Sequence, residues 1–156
     1  MGDSVKIDEP TLWRDFAQAM RAVQRLLDNR LKVLGVGYQE FKVLAELAAS
    51  GRLPMAKLAE RIMFTQAGVT YLVDRLEEQE YAVRERSSED RRIIYVKITE
   101  KGKKVFEEGL RITQETTREI FENLSQEELT NLHKTLTKIM ENTEKNRRLS
   151  TYGEPP

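Results

Sequence analysis

The stretch "TQAGVTYLVDRLEEQEYAVRERSSEDRRIIYVKITEKGKK", Thr65–Lys104, changes period halfway along. In its first part Val69, Leu72, Val73 and Leu76 recur at threes and fours, which makes one apolar face of a helix with Thr65 as its N-cap. In its second part "YAVRER" and "IIYVKI" are short, rich in β-branched residues and alternate at period two. Ile94, Val96 and Ile98 fall on one side, with Ile93, Tyr95 and Lys97 on the other. The polar link "SSEDRR" joins the two runs as a hairpin. Thr99 is placed to cap a following helix that begins "EKGKKVFEEGL".

Working outward, Pro10 behind Asp8 and Glu9 marks a helix start. Leu12, Phe16, Met20, Val23, Leu27, Leu31 and Leu34 carry that helix to "GVG", Gly35–Gly37. A second helix runs from Tyr38 to Ser50–Gly51, and Pro54 opens a short third with Met55, Leu58, Ala59 and Ile62 on one face. Beyond the hairpin, the fifth helix has a looser apolar register: Phe106, Leu110, Ile112, Ile120, Phe121 and Leu124. Ser125–Glu128 reads as a capping box opening a sixth helix with Leu129, Leu132, Leu136, Ile139 and Met140 in register. The order predicts a mainly α fold with one β-hairpin. The first and last helices carry apolar stripes that the small middle part cannot cover, and such stripes usually meet a partner subunit.

Charge narrows the functional classes. The chain balances 26 basic against 26 acidic side chains, yet Arg84–Lys104 gathers eight basic residues against four acidic ones. Neutrality argues against bulk coating of nucleic acid while leaving room for a local basic face. With no cysteine, disulfide scaffolds, cysteine–zinc sites and thiol sensing are excluded. The sole histidine, His133, lies in the last helix and suggests neither a metal site nor Ser/His/Asp catalysis. "LGVGYQEF" lacks the third glycine and the preceding strand of a dinucleotide site. The N-terminal "MGDSVKIDEP" has no apolar core of a signal peptide, and no 18-residue apolar run exists, so a cytoplasmic protein without cofactor, metal or membrane span is expected.

The third and fourth helices, joined by a tight turn, read as a helix-turn-helix. With Val69, Leu72, Val73 and Leu76 inward, Ala67, Thr70, Tyr71 and Asp74 face outward, and Thr65 and Gln66 sit at the exposed shoulder. Gln can bond adenine bidentately, Thr offers a hydroxyl and a methyl, and Ala can meet the thymine methyl. A basic hairpin directly after such a helix is a wing. Arg84, Arg86, Arg91 and Arg92 suit the minor groove and flanking phosphates. A solvated loop is the commoner fate of a charge run, but adjacency to the candidate recognition helix favours the wing. A carboxylate cannot bind DNA itself, so Asp90 is read as orienting a neighbouring arginine, with Arg91 or Arg92 as the reader.

These residues resemble the MarR (multiple antibiotic resistance regulator) family. The resemblance is carried by "LAERI", "TQAGVTYLVDRLE", the "DRR" of the wing and "ITEKG", with the helix order covering nearly the whole chain. It departs where Glu80 and Tyr81 stand in place of the family's usual glycine and aliphatic residue. The resemblance implies a winged helix-turn-helix transcription regulator, a repressor, that binds double-stranded DNA as a homodimer on a pseudo-palindromic operator. The expected organisation is a dimerisation helix over 1–37, a DNA-binding lobe over 38–99, dimerisation helices over 100–147 and a frayed tail over 148–156. The resemblance also implies a small aromatic or phenolic anion as effector, with Arg21 and Tyr38 as candidate contacts, joined by Trp13 or Met20. The plain alternative has Arg21 in a salt bridge and Tyr38 packed at a helix start. The competing functional reading is a helical homodimeric protein-interaction adaptor whose wing is only a solvated loop.

Overall fold

Asp8 accepts a hydrogen bond from the Thr11 amide at 2.9 Å and so caps helix α1, Glu9–Leu31, with Pro10 in its first turn. A computed structural model describes residues 7–151, with side chains described for residues 7–147. One 3₁₀ turn, Lys32–Leu34, follows α1 and ends at Gly35, whose φ of 75° needs glycine. Next come α2 (Tyr38–Ser50), strand β1 (Arg52–Pro54), α3 (Met55–Ile62), α4 (Gln66–Glu78), β2 (Ala82–Arg86), β3 (Ile94–Ile98), α5 (Glu100–Phe121) and α6 (Gln126–Thr151). The predicted order holds. The N-terminal segment "MGDSVK" lies outside the described residues, as does the end of the expected tail beyond Thr151.

One element was not foreseen. The hairpin is part of a three-stranded antiparallel sheet in the order β1-β3-β2. Leu53 of β1 pairs with Val96 of β3, which is fully buried, and Leu53 itself is 7% exposed. A three-residue strand ending in proline has no periodicity to read, and its pairing spans more than forty residues of chain.

The chain divides into two compact units, Met1–Thr116 and Thr117–Pro156. In the first, Val69, Leu72, Val73 and Leu76 are all buried, and Phe41, Val43, Leu44 and Leu47 of α2 complete the core with Leu58, Ala59 and Ile62 of α3. Helix α1 is anchored by its C-terminal half, through Leu27 and Leu31, while Leu12, Trp13, Phe16 and Met20 stay exposed.

Along α5 the buried positions are Gly102, Gly109 and Thr116, a seven-residue spacing of small side chains, which explains its loose apolar register. A Cβ on Gly102 would sit 2.0 Å from the Tyr81 carbonyl oxygen, and one on Gly109 would sit 2.7 Å from the Phe41 ring. These glycines let α5 approach the lobe closely. The second unit holds the end of α5 and α6. There Ser125 and Glu128 form the expected capping box: the Ser125 amide donates to Glu128 Oε2 at 2.8 Å, and the Glu128 amide donates to Ser125 Oγ at 3.3 Å. Leu132, Ile139 and Met140 are exposed along α6.

Candidate nucleic-acid interface

The turn between α3 and α4 is set by Met63, whose φ of 54° is left-handed, and by Thr65, whose hydroxyl accepts the Gly68 amide at 3.1 Å. This capping starts α4 with its amide end open to solvent and leaves Gln66, Ala67, Thr70 and Tyr71 exposed. Thr70 donates its hydroxyl proton to the Gln66 carbonyl at 2.9 Å. The outer face foreseen from helical geometry is therefore present, with Tyr71 61% exposed.

The wing tip between β2 and β3 is closed by backbone and side chain together. The Ser87 amide donates to the Ile93 carbonyl at 3.0 Å, and Ser87 Oγ accepts the amides of Glu89 and Asp90 at 3.2 and 3.3 Å. Asp90 then holds Arg92 three times over. Its Oδ1 accepts the Arg92 amide at 3.0 Å and Nε at 3.1 Å, and its Oδ2 accepts Nη2 at 3.0 Å. The fork-to-fork geometry fixes a guanidinium whose side chain is 91% exposed. Hydrogen bonding from Arg92 holds the Asp90 carboxyl below its usual value, and Asp90 in turn raises Arg92. Of the two arginines left open as readers, Arg92 is the one Asp90 holds; Arg91 and Arg86 are exposed on the same hairpin.

Arg84 sits differently. Its Nη1 pairs with Asp74 at 2.6 Å and with Glu77, its Nη2 donates to the Thr70 carbonyl at 3.2 Å, and its amide donates to Glu77 Oε1 at 2.7 Å. It ties strand β2 to α4 instead of extending into solvent. This role was invisible in the sequence, because Asp74 and Glu77 lie ten and seven residues away and only the turn at Glu80 brings them round. Glu80 adopts φ 62° there, the left-handed conformation that glycine usually supplies, so the departure seen at this position leaves the turn geometry intact. Its carboxylate pairs with Lys101 at 3.1 Å.

Between α4 and the wing lies a hollow of about 630 Å³ lined by Met55, Gln66, Thr70, Arg84, Arg92 and Ile94, among others. It brings residues of α4 and of the hairpin to one surface. The candidate effector residues are placed elsewhere. Arg21 is exposed on α1. Tyr38 is half-buried against the core, its amide donating to Asp28 Oδ1 at 2.7 Å and Lys42 lying over its ring. Trp13 and Phe16 of α1 pack ring against ring at 6.3 Å. Among the described residues no His/Cys/Asp/Glu group could hold a metal, and no described helix is long and apolar enough to cross a membrane.

Residues 34–93, the span from the α1–α2 turn to the wing tip, match the model of the MarR family. The chain is 33% identical over 86 residues to the transcriptional regulator MhqR of Bacillus subtilis; the match covers 55% of this chain and 59% of that protein. It is 32% identical to SarZ of Staphylococcus epidermidis, over 79% of this chain and 90% of SarZ. Its backbone superposes on the organohalide-sensing transcriptional regulator RdhR, solved with 2,4-dichlorophenol, with a TM-score of 0.81 and 26% identity over 92% of this chain and 87% of that one. From the buried α4 face, the three-stranded wing and these likenesses together, the chain belongs to the MarR family, whose members are DNA-binding transcription regulators and not enzymes.

Proposed function

We propose that the protein is a sequence-specific repressor that acts as a homodimer on a pseudo-palindromic site in double-stranded DNA, in the cytoplasm. The observation that carries this reading is the Asp90–Arg92 pair, which holds an exposed guanidinium at the wing tip beside the exposed face of α4. In this reading Thr65, Gln66, Ala67, Thr70 and Tyr71 meet the major groove, Arg92 enters the adjacent minor groove, and Arg86 and Arg91 meet phosphates. Arg84 contributes by holding the wing against α4. Residues 38–99 form the DNA-binding lobe, and 1–37 with 100–147 supply dimerisation. Support for the dimer comes from exposed Leu12, Phe16 and Met20 on α1 and exposed Leu132, Ile139 and Met140 on α6.

For release from DNA, the proposal is a small aromatic or phenolic anion, with Arg21 and Tyr38 as contacts. The 26% identical RdhR, solved with 2,4-dichlorophenol, supports that chemistry. The test of the DNA reading is selection from a pool of randomised duplexes. The expected product is an inverted repeat with half-sites about one helical turn apart. Recovery of no enriched sequence rejects the reading and favours a protein-interaction adaptor.

A further inference from the structure

The start of α2 holds a buried carboxylate that neither the core nor the wing accounts for. Glu40 is 7% exposed. Its Oε2 accepts the Gly37 amide at 2.5 Å, and its Oε1 accepts Arg75 Nε at 2.5 Å. Arg75 lies on α4 one turn after Tyr71, so the two side chains are neighbours on one face. Glu40, Tyr71 and Arg75 line a single hollow of about 640 Å³ together with Arg25, Asp28 and Lys32. Glu40 raises Arg75 above its usual value.

Burying a carboxylate is costly unless it is paired, and a neutral side chain could cap Gly37 just as well. The charge is matched instead by an arginine one turn along α4 from the exposed Tyr71, with which it lines the same hollow. We propose that Glu40 is a positioning residue for DNA recognition: through Arg75 it holds the Tyr71 phenol in place on the outer face of α4. The inference rests on the DNA-binding reading above, with Tyr71 as a contact.

A double-mutant cycle on the duplex selected by the unaltered protein tests it, with a urea melt of every variant. Tyr71→Phe removes only the hydroxyl and should weaken binding about fivefold. Glu40→Gln should weaken it by about five- to tenfold in the unaltered background, and by less than about twofold in the Tyr71→Phe background. A purely structural Glu40 would instead give losses that multiply, tracking the melt. That result overturns the proposal, as does a Tyr71→Phe variant that binds normally. If Glu40→Gln does not fold, Arg75→Gln breaks the same link from a side chain that is 43% exposed, and takes its place in the cycle. An unaltered protein that selects no sequence removes the DNA reading itself, and the inference with it.

Discussion

At Asp90 two effects oppose each other. A carboxylate near phosphate repels it, while a carboxylate that fixes a flexible arginine spares that side chain the entropy of ordering on binding. Three hydrogen bonds to Arg92, none longer than 3.1 Å, decide in favour of the second effect. Arg92→Ala should therefore cost about 1–3 kcal/mol of operator binding. Asp90→Ala should weaken binding as well, although it removes a negative charge. Filter binding of the two variants checks both, and tighter binding by Asp90→Ala would remove the orienting role. The pH dependence follows with a definite sign. Because the folded carboxyl is held below its usual value, the pair is intact above the ordinary carboxylate range and is lost only as pH falls through the lowered value. Operator affinity should show no step from this pair between about pH 5 and 8. The same scale holds a packing prediction. Gly102→Ala drives a Cβ against a backbone carbonyl that cannot swing aside, so the urea midpoint should fall by the equivalent of about 2 kcal/mol or more.

At the scale of elements, Arg84 joins the hairpin to α4. Arg84→Met should keep the stem packed while freeing Asp74 and Glu77, with about 1–2 kcal/mol of stability lost. Amide exchange should quicken across β2, and operator affinity should drop without a change in the preferred sequence. Unaltered exchange in β2 would show that the hairpin holds itself. The turn feeding β2 is improvable: Glu80 occupies a left-handed conformation at φ 62°, which costs a non-glycine residue about 1 kcal/mol. Glu80→Gly should raise the urea midpoint, less whatever the lost pair with Lys101 contributes at this exposed site.

What was legible at this scale follows from range. Val69, Leu72, Val73 and Leu76 declare their helix face locally, and "YAVRER" and "IIYVKI" declare their alternation. Strand β1 is three residues that become a strand only through β3. Helix α5 hid its inner face because that face is glycine and threonine, with Leu110 38% exposed. The partners of Arg84 and Glu40 depend on distances, and distances are not written in spacing. The one local hint was Gly37 three residues before Glu40, the interval of a capping box.

For the whole molecule, the exposed stripes of α1 and α6 are the features a single chain leaves unresolved. Sedimentation of the unaltered protein should report a dimer. Leu132→Glu combined with Met140→Glu should raise the dimer dissociation constant by about 100-fold or more, because the charges would be buried without partners. Operator affinity should fall in parallel, since two half-sites are then no longer read together. A doubly substituted protein that stays dimeric places the interface elsewhere. The chain's zero net charge bears on the same scale. Attraction to DNA should therefore come from a local surface, with weak binding to arbitrary duplex and strong binding to the selected site. The most direct test titrates the protein against the selected duplex and a scrambled duplex of equal length across a range of salt. Affinity should fall with salt, and the selected site should be preferred by about 10³ or more, a preference that shrinks by about 5- to 150-fold in Arg92→Ala. Equal affinity for both duplexes, or no binding even at low salt, would contradict it.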